Sequence, residues 1–230
     1  MSCVAIILAR GGSKRIPRKN IKQFMGKPMI AYAIQAALEA GIYDEVMVST
    51  DDMEIAEIAK RYGAKVPFMR SEKTASDTAT TVDVLIEVIE KYKELGIDFE
   101  TLTCIYPCVP FLTGDILANA YSVYKETNAS TVMPVLRFEY PVQRAFVVND
   151  EGILTWREPQ YCLTRTQDLE VSYHDAGMFY FVKVSDMLKE HQVICKRTFP
   201  IEIPRKVAQD IDTMEDWEEC ELKYKILFNK

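Results

Sequence analysis

With 230 residues, 48% of them hydrophobic and 27% charged, the chain has the make-up of an ordinary soluble globular protein and the length of one domain. A formal net charge of −6 argues against a nucleic-acid binder, and no apolar run approaches the roughly 20 residues needed to span a membrane. Arg10 comes too early for a secretory leader, and six cysteines without a CxxC pair read as core thiols, so a soluble, cytoplasmic protein is expected.

Taken in chain order, Cys3–Ala9 is a continuous apolar run, as in a strand of a parallel sheet covered on both faces. A helix is predicted over 27–39, with Pro28 in its first turn and Gly41 as its stop. A strand over 45–50 follows, then a helix capped by Asp51 or Asp52 that stops at Gly63. The run 65–69 reads as a short strand and 70–80 as a polar loop. A helix with Val82, Leu85, Ile86 and Ile89 on one face then ends at Gly96. Strand 101–106, helix 114–126 and strand 130–136 continue the alternation. From 137 to 173 the regularity breaks, with a hairpin turn at 149–152, and this stretch reads as an inserted β-rich subregion and a candidate oligomer contact. Strands over 177–182 and 199–204 and a helix from about 213 complete the chain. The pattern predicts a three-layer, doubly wound, mostly parallel α/β sheet of Rossmann-like type, in one domain spanning 1–230.

In such sheets ligands lie beyond the carboxyl ends of the strands. There this sequence places ILARGGSKRIPRKN, residues 7–20. It matches neither GxxxxGK[ST] nor GxGxxG. Gly11 and Gly12 still allow backbone N–H groups to approach a ligand, and Arg10, Lys14, Arg15, Arg18 and Lys19 can surround a polyanion such as a triphosphate. The plain alternative is a solvated basic loop, which the position at a strand end disfavours. Charge is also unevenly placed: the first 38 residues carry seven bases and no acid, and 210–222 carry seven acids and no base.

Ala9-Arg10, Ser13-Lys14 and Lys19-Asn20 make an AR-x-x-SK-x-x-x-x-KN pattern that resembles the loop of the CMP-sialic acid synthetase family of cytidylyltransferases. Val48-Ser49-Thr50-Asp51-Asp52 with Ile55-Ala56, Arg70 with Ala75-Ser76-Asp77-Thr78, and Asp210-Ile211-Asp212-Thr213 resemble three further segments of that family in the same order. The resemblance implies a nucleotidyltransferase that moves CMP from CTP to the anomeric hydroxyl of a nine-carbon 2-keto sugar acid and releases pyrophosphate. It implies that Arg10, Ser13 and Lys19 face the phosphates, with Gly11, Gly12 and Lys14 in the same cradle. Asn20, Arg70 and Thr81 would belong to the nucleotide pocket, and main-chain groups near Leu8, Ala9 and Ala79 would read the pyrimidine. Arg10, Lys19 and Asp210 are the catalytic candidates. Asp210 and Asp212 are the expected ligands of Mg2+, although Asp212 or Thr213 can equally start the last helix. The family is commonly dimeric, which implies a homodimer joined through 137–173.

Tyr140-Pro141-Val142-Gln143-Arg144-Ala145, Arg165-Thr166-Gln167-Asp168-Leu169 and His174-Asp175-Ala176-Gly177 with Phe179-Tyr180 resemble the pseudaminic acid branch. Sugar-binding candidates are therefore Tyr106, Gln143, Arg144, Arg165, Gln167, Asp168, His174, Asp175 and Tyr180. Tyr106-Pro107-Cys108-Val109-Pro110 departs from the QPTSP of sialic acid members, which weakens a sialic acid assignment and leaves CTP use untouched. Sialic, legionaminic and 3-deoxy-octulosonic acids are the alternative acceptors. A nucleotide-sugar-dependent glycosyltransferase and a non-catalytic nucleotide-binding subunit are the rival classes.

Overall fold

The first strand shows why its sequence is apolar throughout. In the computed structural model, which describes residues 2–228, β1 (Cys3–Leu8) is an inner strand of the main sheet, next to its edge strand. Side chains alternate across a strand, so Ala5 and Ile7 enter one core while Val4 and Ile6 enter another. A strand covered on both faces favours apolar side chains at every position.

The basic loop leads into a small hairpin, β2 (Gln23–Phe24) and β3 (Lys27–Pro28), and then α1 (Ile30–Ala40), β4 (Glu45–Ser49), α2 (Met53–Arg61) and α3 (Glu72–Ala75). Next come α4 (Thr81–Glu94), β5 (Thr101–Ile105), α5 (Gly114–Thr127) and β6 (Thr131–Arg137). A separate hairpin of β7 (Phe146–Val148) and β8 (Leu154–Trp156) precedes β9 (Tyr173–Asp175) and β10 (Phe179–Lys183). The chain closes with α6 (Val184–Glu190), β11 (Thr198–Glu202) and α7 (Met214–Phe228).

The main sheet has the order β11-β6-β10-β5-β1-β4, with β9 attached to β6. β1 pairs in parallel with β4 and β5, and β6 in parallel with β11, whereas β10 is antiparallel to both β5 and β6. Residues of α1, α2 and α5 fill the core on one face, and residues of α4 and α6 the core on the other. The expected three-layer, doubly wound sheet is thus the fold observed.

Caps explain the element boundaries. Asp52 accepts from the Ile55 N–H at 3.0 Å to start α2. Thr80 and Asp83 form a reciprocal capping box at α4, and Gly41 closes α1 with φ of 63°. Several local expectations differ, and the loop expected over 70–80 holds α3. Pro28 lies in β3, not in the first turn of a helix, because Met25 and Gly26 both take positive φ (46° and 90°) and fold the chain back in a hairpin first. Residues 65–69 form no strand, only a single bridge between Lys65 and Met47. α6 was not foreseen. The stretch 138–172 is less β-rich than expected, holding one short hairpin and three single-turn 3-10 helices.

A third apolar cluster matters most for the site. Phe24 of the hairpin meets Tyr32, Trp217 and Tyr224 edge-on, with ring centroids 5.4 to 5.6 Å apart. Ile16 of the basic loop is buried in the same cluster. Burying Phe24 contributes about 2 kcal/mol, and edge-to-face pairs add to it. α7 is thereby fastened against the loop that follows β1, which brings the acidic end of the chain to the basic one.

Candidate active site

The basic loop leaves β1 at its carboxyl end and is fixed by hydrogen bonds to the end of β4. Ala9 donates to the Ser49 carbonyl at 3.0 Å, and Gly11 donates to an Asp51 carboxylate oxygen at 2.9 Å. A Cβ on Gly11 would stand 2.8 Å from Asp52 Oδ2, so a side chain there would push the Asp52 carboxylate aside. Arg18 takes a left-handed conformation (φ 56°) and turns its guanidinium to Asp52 and Glu54 at the start of α2. Among the five cations expected around a polyanion, Arg18 is therefore the one committed to a structural clamp. The other four line one cavity of about 370 Å³, together with Leu8, Ser13 and Asn20.

Asn20 is nearly fully buried and acts as a brace. Its amide donates to the Arg10 carbonyl at 2.9 Å, and its oxygen accepts from the Cys108 thiol at 3.5 Å. The loop is thereby tied to the turn that follows β5. Burial pushes the Cys108 thiol up to about 12, so it stays protonated and can donate.

Next to the cationic cavity is a smaller one of about 230 Å³, lined by Leu8, Arg10, Arg70, Ala79, Thr81 and Tyr106 among others. Arg70 is mostly buried and donates to Ser49 twice, Nε to Oγ at 3.1 Å and Nη2 to the carbonyl at 2.7 Å. Burial draws its pKa below the ordinary arginine value, with Asp51 and Glu87 acting in the opposite sense. The Ser49 carbonyl thus receives both the Ala9 N–H and Arg70. Ser49 was visible in the sequence within VSTDD, but its role as a hub needed the fold.

The late acids face this loop. Lys19 donates to the Ile211 carbonyl at 2.6 Å, and its ammonium is 3.7 Å from one Asp212 oxygen. Arg15 is 2.8 Å from the other. Start of α7 falls to Thr213 and Asp216: the Asp216 carboxylate accepts from Thr213 N–H at 2.7 Å and from Asp212 N–H at 2.9 Å. These bonds hold the Asp216 carboxyl below the usual range. Because Thr213 and Asp216 cap the helix, Asp210 and Asp212 keep their carboxylates for other partners. Asp210 forms no ion pair among the described residues and lines two neighbouring cavities.

The first of these, about 430 Å³, is bounded by Lys19, Tyr106, Cys108, Asp175, Tyr180 and Asp210. Pairing of β9 with β6 brings Asp175 opposite Val135, and its carboxylate then accepts from Gly177 N–H at 2.8 Å and from the Tyr180 hydroxyl. Burial and the Asp175 hydrogen bond raise the Tyr180 pKa far above its ordinary value. Tyr106 packs edge-on against Tyr180, centroids 5.9 Å apart. The second cavity, about 620 Å³, adds His174, whose Nδ1 lies 2.9 Å from the Asp175 carbonyl and whose ring meets Phe138 at 4.8 Å.

The remaining sugar-binding candidates line neither cavity. Gln143 donates to the Glu170 carbonyl at 2.9 Å, Arg144 packs 5.9 Å from the Trp156 ring, and Arg165 pairs locally with Asp168 at 2.8 Å. Gln167 is exposed beside them. All five sit on the 138–172 stretch, whose own contacts hold them.

A cationic cradle beyond the carboxyl ends of β1 and β4, a buried arginine behind it and two carboxylates opposite define a nucleotidyltransferase of the α/β class. The cytidylyltransferase family profile matches residues 4–226, and the chain belongs to that family: it is a CTP-dependent nucleotidyltransferase. It is 40% identical over 226 residues to a pseudaminic acid cytidylyltransferase of Campylobacter jejuni subsp. jejuni serotype O:2, covering 98% of this chain and 97% of the relative. It is 31% identical to a CMP-N,N'-diacetyllegionaminic acid synthase of Legionella pneumophila, covering 94% of each. A solved CMP:2-keto-3-deoxy-manno-octonic acid synthetase complexed with CTP shares the fold, with a TM-score of 0.69 at 19% identity over 96% of this chain and 98% of that one.

Proposed function

We propose that the chain transfers CMP from CTP to the anomeric hydroxyl of pseudaminic acid. The anomeric oxygen bonds to the α-phosphorus, the α–β bridging P–O bond breaks, and pyrophosphate leaves. One observation carries this reading: Lys19 lines both the cationic cavity and the cavity of Tyr106, Asp175 and Asp210, so a triphosphate in the first meets an acceptor in the second. Support for pseudaminic acid comes from the full-length relative of that activity and from the Tyr106–Tyr180–Asp175 group at the acceptor side.

Negative charge gathers on the α-phosphate and on the leaving pyrophosphate during in-line transfer, so catalysis is chiefly positioning and electrostatic stabilisation. Arg10, Ser13, Lys14 and Lys19 supply that stabilisation, with Gly11 and Gly12 letting the backbone come close. Arg70 and Thr81 shape the nucleotide pocket beside Leu8, Ala9 and Ala79. Tyr180 and Asp175 hold acceptor hydroxyl or amide groups, with His174 at the outer wall. Asp210 and Asp212, whose carboxylates do not cap α7, would hold Mg2+, with Arg15 released from Asp212. When bound, that ion supplies further charge neutralisation at the phosphates.

A second copy of the chain is proposed to cover 138–172. Tyr140, Val148, Leu154 and Leu163 are 83%, 66%, 61% and 93% exposed there, a density of bare apolar side chains that a monomer rarely leaves in water. Gln143, Arg144, Arg165, Gln167 and Asp168 lie in the stretch that such a copy covers, and any contact they make with the sugar acid depends on it. No helix among the described residues is long and apolar enough to cross a membrane. The six free cysteines and the use of CTP support a cytoplasmic setting.

The test is pyrophosphate release with CTP against a panel of pseudaminic, legionaminic, sialic and 3-deoxy-octulosonic acids. Faster turnover of pseudaminic acid than of any other member is expected; a better acceptor in the panel refutes the substrate assignment.

A further inference from the structure

The segment 71–80, which contains α3 and leads into α4, is fastened at both ends. At its start, Ser71 donates to Glu87 through N–H at 2.8 Å and Oγ at 2.7 Å, Thr74 donates to the same carboxylate, and Lys91 pairs with it at 2.7 Å. At its end, the Thr80–Asp83 capping box anchors α4. Between these anchors the tip, residues 76–79, reaches across to the basic loop. There one Asp77 oxygen is 2.7 Å from Arg10 Nη1 and the other is 2.6 Å from Lys14 Nζ. Both pairs are exposed, with Asp77 54% accessible.

Arg10 and Lys14 are two of the cations assigned above to the CTP phosphates, and the inference rests on that assignment. A carboxylate bridging two cations presents them with the charge and hydrogen-bond acceptors that a phosphate also presents. Exposed ion pairs are weak, so a polyanionic triphosphate outcompetes this one readily. Ala79, whose backbone is assigned to the base, lies two residues from Asp77 on the same tip and lines the same cavity as Arg10.

We infer that Asp77 is a positioning residue that competes with nucleotide phosphates for Arg10 and Lys14. It holds both cations in place in the free enzyme, yields them to CTP with a movement of the tip, and reclaims them as pyrophosphate departs. The tip is thus a strap whose closure on the basic loop opposes phosphate binding and favours release.

Asp77→Asn and Asp77→Glu in the full chain test this, with the KM for CTP and the inhibition constant of pyrophosphate as readouts. Asp77 is solvent-exposed, so neither change threatens the fold. The Asn variant is expected to lower both constants by roughly threefold, as loss of a weak competing pair implies, and the Glu variant to return them toward wild type. A merely structural role in the strap would raise KM in the Asn variant, and that result, or two unchanged constants, overturns the inference. An Arg10→Ala, Lys14→Ala double variant separates the premise from the inference. It should raise the KM for CTP and abolish the effect of Asp77→Asn; CTP kinetics like those of wild type would refute the phosphate assignment itself.

Discussion

Lys19 and Ile211, 192 positions apart, are joined by a hydrogen bond of 2.6 Å from the lysine ammonium to the isoleucine carbonyl. That contact closes the basic opening of the chain onto its acidic end and fixes the ammonium between two cavities. Because Asp210 and Asp212 flank the accepting carbonyl, the position of Lys19 and that of the two acids depend on one another.

Replacing Lys19 by Ala is therefore expected to cost twice. Loss of the charge proposed to meet the phosphates should lower kcat/KM for CTP by about 100-fold or more, the scale of removing a preorganised electrostatic contact. Loss of the bond to Ile211 should lower stability by about 1–2 kcal/mol. Pyrophosphate-release kinetics and chemical denaturation read the two effects separately.

Asp210→Asn leaves the helix cap untouched, since Thr213 and Asp216 form it. Turnover should fall to background while much CTP binding, measured by calorimetry, persists. A variant that turns over normally would remove Asp210 from the chemistry and from the proposed Mg2+ site.

Arg70 is predicted to tolerate no substitution, Lys included. Its two bonds to Ser49 use the fork of the guanidinium, which an ammonium cannot reproduce. Removing a charged, partly buried donor pair should cost about 2–3 kcal/mol and lower the melting temperature by about 4–12 °C, as thermal unfolding will show.

Acid stability should report on Glu87. Burial pushes its carboxyl up, but the bonds from Lys91, Thr74 and Ser71 outweigh that and hold it at about 2, below the ordinary 4.5. A carboxyl with a depressed folded pKa contributes stability that is complete above the unfolded value and is lost as pH falls through the folded one. The wild-type unfolding free energy should thus decline between about pH 4.5 and 2, and Glu87→Gln should flatten that portion of the curve.

Tyr180→Phe removes the hydroxyl that donates to Asp175 and leaves the buried ring in place. KM for the sugar acid should rise about tenfold with KM for CTP unchanged, since a lost hydrogen bond to a charged acceptor is worth roughly 1.5 kcal/mol or more. Equal changes in both constants would place Tyr180 in the structure rather than at the acceptor.

Much of this was legible in the residues. The apolar run of β1, the cap at Asp52 and the stop at Gly41 each follow from local chemistry. So does the gathering of cations behind β1, four of which line one cavity. Arg18 is the exception, since nothing local says that Asp52 and Glu54, more than 30 residues on, will claim it. The hairpin at Phe24–Lys27 lacks the Asn-Gly or Asp-Gly pair that marks such turns, so Pro28 suggested a helix start instead. The antiparallel setting of β10 and the hub at Ser49 depend on long-range pairing that no local pattern records. That Thr213 with Asp216, and not Asp212, starts α7 depends on side-chain geometry that the sequence leaves open.

The most direct measurement follows the bond that is made. Wild-type protein, CTP and Mg2+ are incubated with an equimolar mixture of pseudaminic, legionaminic and sialic acids, and products are read by phosphorus NMR and mass spectrometry. The account predicts pyrophosphate together with a single new phosphodiester, CMP-pseudaminic acid. CMP joined chiefly to another acid, or CTP left intact, would contradict it.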